Sequence, residues 1–97
     1  MWLLKTEEAA GAPFLFRILP GSIKTVGRAR RADFIVDAAL VSRLHCRLTA
    51  GATALEVVDL DSTNGTFVNG ERATRTTLKH GDKLGVGRVD LIVEKSG

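Results

Sequence analysis

Four short polar segments hold the side chains that could do chemistry: Gly27-Arg28, Ser42-Arg43-Leu44-His45, Asp61-Ser62-Thr63-Asn64-Gly65-Thr66 and Val68-Asn69-Gly70. Taken singly, each has an ordinary structural reading. Arg28 at a strand end can be a solvated cation. Ser42 can cap a helical turn that starts at Arg43. Asn64-Gly65 and Asn69-Gly70 are turn dipeptides, because both residue types tolerate positive φ. Gly27 closes the apolar run from Ile23, where the lack of a Cβ permits close backbone approach. Arg28-Ala29-Arg30-Arg31 is a basic cluster suited to an anionic partner. Only the joint, ordered occurrence of these segments lifts them above turn chemistry.

The elements that must position them are short and β-like. Trp2 to Lys5, Phe14 to Leu19, Ile23 to Val26, Phe34 to Val36, His45 to Thr49, Leu55 to Leu60, Thr66 to Val68, Lys83 to Val86 and Leu91 to Glu94 each have strand length. Leu55-Glu56-Val57 and Phe14-Leu15-Phe16-Arg17-Ile18 alternate, as expected of strands with one face buried and one wetted. Residues 37–44 could form a turn of helix, yet no segment sustains a 3.6-residue period over eleven residues. About nine strands without a βαβ rhythm predict an antiparallel sandwich or barrel, with the polar segments as strand connections.

Length and composition bound the rest. Ninety-seven residues, 44% hydrophobic and 26% charged, make one globular domain over 1–97, with little chain left after the last strand at Lys95-Ser96-Gly97. Lys and Arg number 14 against 11 Asp and Glu, a net +3 that favours an anionic partner without naming one. Cys46 is the single cysteine, so no internal disulfide is possible, and a reducing intracellular, cytoplasmic setting is expected. One Cys and two distant His give no zinc spacing; no metal or cofactor is expected. No leader and no apolar run of 18 residues is present, which predicts a chain without a membrane partner, and a monomer.

Together, and in order, Gly27-Arg28, Ser42-Arg43-Leu44-His45, Ser62-Thr63-Asn64-Gly65-Thr66 and Asn69-Gly70 resemble the pattern of the forkhead-associated (FHA) domain family. Leu78-Lys79-His80-Gly81-Asp82-Lys83-Leu84 resembles its closing segment. The resemblance covers about residues 14–94. It implies an all-β, FHA-type antiparallel sandwich of about eleven strands, with peptide-binding loops at one edge. It also implies a non-catalytic module that recognises phosphothreonine in an extended peptide, linking a Ser/Thr kinase substrate to its reader. The Met-Trp start and its short distance to Gly27-Arg28 also resemble FHA domains of the nibrin type, which would imply a nuclear setting. Asp59 to Gly70 looks equally like bacterial FHA modules.

By that resemblance Arg28, Ser42, Arg43 and Thr63 contact the phosphate, and Asn64 pairs with the peptide backbone. His45, Gly27, Gly65, Asn69 and Gly70 shape the platform. The residue types suit that role, since a phosphothreonine carries nearly two negative charges and three acceptor oxygens, which call for a guanidinium, hydroxyls and N–H donors. Threonine over serine is the family's preference, and one methyl is worth roughly 0.8 kcal/mol of transfer. Arg30 and Arg31, if they line the site, would favour acidic residues near the phosphothreonine.

Two other functions compete for the same residues. Asp59-x-Asp61-x-Thr63 after an apolar strand resembles the first motif of Mg²⁺-dependent phosphatases of haloacid-dehalogenase type. That fold needs a parallel α/β sheet and later acidic residues, which the following sequence lacks. An EF-hand reading of the same aspartates fails because Asn64 and Gly70 stand where Gly and Glu are needed. Arg28, Arg30 and Arg31 could form a nucleic-acid patch, but Trp2, Phe14, Phe16, Phe34 and Phe67 lie in strand-like runs and read as core rather than as stacking platforms. Cys46 reads as a small core residue, and His45 as an orienting group rather than a catalytic base.

Overall fold

Alternation of apolar and polar residues resolves into eleven strands in a computed structural model, which describes residues 1–6 and 14–96. They are β1 (Trp2–Thr6), β2 (Leu15–Ile18), β3 (Ile23–Gly27), β4 (Phe34–Ile35), β5 (Cys46–Ala50), β6 (Leu55–Asp59), β7 (Thr66–Val68), β8 (Glu71–Arg72), β9 (Arg75–Leu78), β10 (Lys83–Val86) and β11 (Val89–Lys95). One sheet runs β2-β1-β11-β10-β7-β8 and the other β4-β3-β5-β6-β9. Nine of the strands match the expected runs to within a residue or two. β8 and β9 are additions. The final strand ends at Lys95 rather than Glu94, and the Gly97 of the expected tail lies outside the described residues.

Two expectations need correction. Residues 37–44 form no helical turn: Leu40 takes φ +70°, which no right-handed helix accommodates. With no helix behind it, Ser42 is not an N-cap. The pairing is also not wholly antiparallel, because the two-residue β4 lies parallel to the end of β3, Val26 beside Phe34 and Gly27 beside Ile35.

The core follows from the period of two. Leu4, Val26, Leu48, Leu55, Val57, Leu84, Leu91 and Val93 point inward from both sheets and are buried. Each such side chain contributes roughly 1.5–3 kcal/mol by leaving water. Trp2 ties the sheets at one end, its Nε1–H donating to Gly51 O at 3.0 Å across the β5–β6 turn. Phe16 on β2 stacks on Phe34 of β4 with centroids 4.6 Å apart, closing the side where the two edge strands meet. Cys46 is buried as expected.

Register places the site. Val26 pairs with Cys46, and Cys46 with Asp59, so three neighbouring strands of one sheet are level at these residues. β3 and β6 end there and β5 begins there. The connections 28–33, 36–45 and 60–65 therefore emerge at the same edge of the sandwich.

Candidate functional site

Backbone contact between the first two of these loops is very close. Gly27 ends β3 so near the 36–45 loop that a Cβ built on it would lie 2.0 Å from Arg43 O. Only glycine fits. The approach lets Arg28 N–H donate to Ser42 O at 2.9 Å and Ala29 N–H to Arg43 O at 3.0 Å. Arg28 is thus tied to Ser42 through the main chain. Its Nε–H donates to Val41 O at 3.1 Å, which fixes the guanidinium plane, and neither terminal NH₂ group has a partner among the described residues.

His45 holds the 36–45 loop to the next one. Fully buried, its Nδ1 accepts from Ser42 N–H at 3.0 Å, so the proton sits on Nε2 and is donated to Gly65 O at 2.8 Å. One neutral tautomer satisfies both bonds. The ring is a strut between the two loops, and both its nitrogens are occupied. Gly65, at φ +91°, turns its carbonyl to meet the ring.

Ser42 Oγ accepts from Thr63 N–H at 3.0 Å. The hydroxyl proton remains available to an acceptor outside. Thr63 is exposed, and its own hydroxyl has no partner among the described residues. Asn64 Nδ2 donates to Leu40 O at 3.1 Å, leaving its Oδ1 and one N–H uncommitted. Cross-loop bonds therefore fix Ser42 to Thr63 and Leu40 to Asn64.

Beneath these groups lies a knot that sequence reasoning missed. Asp59 Oδ1 accepts from Ser62 Oγ at 2.5 Å and from Thr66 Oγ1 at 2.7 Å, and its Oδ2 accepts from Ser62 N–H at 3.2 Å. Ser62 Oγ in turn accepts from Gly65 N–H at 3.0 Å. Burial works to raise the carboxyl's pKa, but the two hydroxyls and the Ser62 amide outweigh it and hold the group below the ordinary carboxylate value. The available signal was the Asp-x-x-Ser spacing of a side chain that caps its own turn. Burial pushes the adjacent Cys46 thiol up to about 12, with the Asp59 charge adding to it. That thiol is inert at neutral pH.

The loops enclose an open groove of about 810 Å³ whose lining includes Arg28, Ser42, Arg43, Thr63 and Asn64. Asp37, Leu40 and Asp61 also line it; none was singled out from sequence as a groove residue. Arg30 and Arg31 are exposed and lie outside the lining. Asn69 and Gly70 lie outside it as well. Asn69 anchors the β7–β8 turn to β10, its Oδ1 accepting from Lys83 N–H at 2.9 Å and its Nδ2 donating to Asp82 Oδ1 at 3.1 Å.

A family model described as the FHA domain matches residues 24–87, two-thirds of the chain. The chain belongs to the FHA domain family. It is 36% identical over 92 residues to an oxoglutarate dehydrogenase inhibitor of Corynebacterium diphtheriae, covering 95% of this chain and 62% of that one. It is 33% identical over 90 residues to the glycogen accumulation regulator GarA of Mycobacterium tuberculosis, covering 93% of this chain and 54% of GarA. The FHA chain thus spans a little over half of these relatives' length. Its fold superposes on a domain solved in a structural and functional analysis of phosphothreonine-dependent FHA domain interactions, with TM-score 0.84, 28% identity, and coverage of 99% and 97% of the two chains. These curated relatives are bacterial, and the narrower likeness to nibrin finds no support in them.

Membership also decides between the chemistries. Among the described residues the sandwich has no parallel α/β sheet to seat a phosphatase, and Asp59 commits both oxygens to Ser62 and Thr66 rather than standing as a nucleophile. The fold thus overturns the haloacid-dehalogenase reading of Asp59-x-Asp61-x-Thr63. Of the basic cluster only Arg28 is among the residues that line the groove; Arg30 and Arg31 are not. No helix among the described residues is long and apolar enough to cross a membrane.

Proposed function

We propose that this FHA domain is a non-catalytic reader of phosphothreonine in an extended peptide, working in Ser/Thr kinase signalling. The observation that carries the reading is the single groove shared by Arg28, Ser42, Arg43, Thr63 and Asn64. In this reading the free Nη groups of Arg28 take two phosphate oxygens, with charge-assisted bonds from a fork already oriented by Val41. The Ser42 hydroxyl donates to a third oxygen, and Arg43 and Thr63 close the shell. Asn64 spends its remaining N–H and its Oδ1 on the peptide main chain, holding it extended over the loops.

A reader of this kind does no bond-breaking. His45 has no lone pair to offer a substrate, and Asp59 is enclosed by Ser62 and Thr66. The partner is a phosphorylated protein, the phosphate is its only cofactor-like element, and the binding unit is one domain over 1–97 acting as a monomer in the cytoplasm. That the GarA and inhibitor relatives are regulators by name supports a regulatory role.

The test is a fluorescence anisotropy titration with one labelled peptide in three forms, carrying phosphothreonine, phosphoserine or bare threonine. Phosphothreonine binding tightest, phosphoserine weaker and the bare peptide not at all is the expected order. Equal affinity for the phosphorylated and bare forms would overturn the reading.

A further inference from the structure

The groove is not uniformly basic. Its walls carry two guanidinium groups, Arg28 and Arg43, and two carboxylates, Asp37 and Asp61. Both carboxylates are exposed, and neither bonds to a partner among the described residues. Asp37 comes from the 36–45 loop, and Asp61, at φ +57°, from the start of the 60–65 loop. The 36–45 loop also lines the groove with Ala38, Ala39 and Leu40.

Leu40 is the unusual member. It is 45% exposed, and its φ of +70° is a conformation that a branched aliphatic residue rarely adopts. Such strain persists only where surrounding contacts enforce it, and it gathers at binding sites. Here Asn64 Nδ2 holds the Leu40 carbonyl, and the Ala39–Leu40 backbone lies against Gly87, where an added Cβ would come within 2.9 Å of it. The loop is pinned so that an apolar surface is presented to the groove rather than to the core.

A dianionic phosphate entering this groove meets cations and anions in equal number. A second acidic residue on the ligand would face Asp37 and Asp61 unpaired, whereas a long cationic side chain would lay its methylenes on Ala38, Ala39 and Leu40 and set its head on the carboxylates. We infer that the ligand carries a lysine or arginine beside its phosphothreonine, seated on Leu40 and paired with Asp37 and Asp61. This rests on the phosphothreonine reading above and names the peptide class. It replaces the acidic preference expected from Arg30 and Arg31, which are not among the groove's lining residues.

The experiment is a phosphothreonine-oriented peptide library with every flanking position degenerate. It is followed by labelled single peptides bearing Lys, Ala, Leu or Glu at the most selective position, each phosphorylated and bare. Lys should bind about two- to fivefold tighter than Ala, with Glu below Ala, the range expected for pairs on an exposed wall. The double variant Asp37→Asn, Asp61→Asn should lose the Lys advantage while still requiring the phosphate. Asn keeps the shape and tolerates the positive φ at 61, so the fold is retained. As a second measurement on the unmodified protein, the Lys-over-Ala ratio should shrink as salt is raised to 0.5 M, where the screening length drops to roughly 4 Å. A preference led by Glu or Leu, or a Lys advantage that survives in the double variant, overturns the inference and leaves the phosphothreonine reading standing. Failure of every phosphorylated peptide to bind overturns both.

Discussion

Arg28 donates its backbone N–H to the carbonyl of Ser42 at 2.9 Å, so the two residues that meet the phosphate in our reading are joined by main chain before any ligand arrives. Preorganisation of this kind lowers the ordering cost of binding. It also separates side-chain effects on affinity from effects on the fold.

Replacing Arg28 with Ala removes the free guanidinium donors and leaves that backbone bond in place. The loss of a charge-assisted contact is about 1.5–3 kcal/mol, or about ten- to a hundredfold in affinity. Circular dichroism should remain that of the unmodified protein. Arg28→Lys should recover only part of the loss, since an ammonium cannot both bond Val41 O and present two parallel donors. Anisotropy titration of the three proteins checks the order.

Gly27→Ala acts the other way round. Its Cβ would need the space of Arg43 O, which is backbone and cannot rotate aside. Relief requires β3 and the 36–45 loop to separate, stretching the bonds from Arg28 and Ala29. We expect a stability loss of about 1–3 kcal/mol by urea denaturation, accompanied by weakened phosphopeptide binding although no ligand-facing group has changed.

Acid should loosen the 60–65 loop. Asp59 and Asp33 both titrate below the ordinary carboxylate value in the folded state, Asp33 because Thr25 N–H and its hydroxyl bond the carboxylate. A depressed folded pKa stabilises at pH above the unfolded value, and that contribution is lost as pH falls through the folded value. Melting temperature should therefore hold at neutral and mildly acidic pH and decline below the ordinary value of 3.8. Asp59→Asn should lower the neutral-pH melting temperature and flatten the acidic decline.

Cys46 should be silent in the native state. Buried within the sandwich, with a thiol pKa pushed up to about 12, it offers no thiolate to a disulfide reagent at pH 8. A chromogenic thiol assay should register no cysteine in buffer and one equivalent per chain in denaturant.

Much of this architecture was legible because it is written in local signals. Leu55-Glu56-Val57 alternates and becomes part of β6, and Asn69-Gly70 sits in the β7–β8 turn. β8 and β9 were not legible: Glu71-Arg72 is polar, and Arg75-Thr76-Thr77-Leu78 buries only Leu78. These strands exist because β7 and β6 supply partners at the sheet edges, a long-range fact with no period of its own. At the site, Arg28, Ser42, Arg43, Thr63 and Asn64 were identifiable as an ordered set, and the fold brings them together. Asp37, Asp61 and Leu40 gain their position only from how the 36–45 and 60–65 loops face one another. Arg30 and Arg31, close to Arg28 in sequence, are not among the residues that line the groove.

Trp2 is the molecule's single indole, and the chain contains no tyrosine. Near-ultraviolet emission therefore comes from one ring, sealed under the β5–β6 turn by its bond to Gly51. The five residues of β5, roughly 17 Å of strand, stand between that turn and His45 at the groove. Intrinsic fluorescence is thus a clean gauge of global unfolding and blind to ligand occupancy, so the dye that reports binding belongs on the peptide.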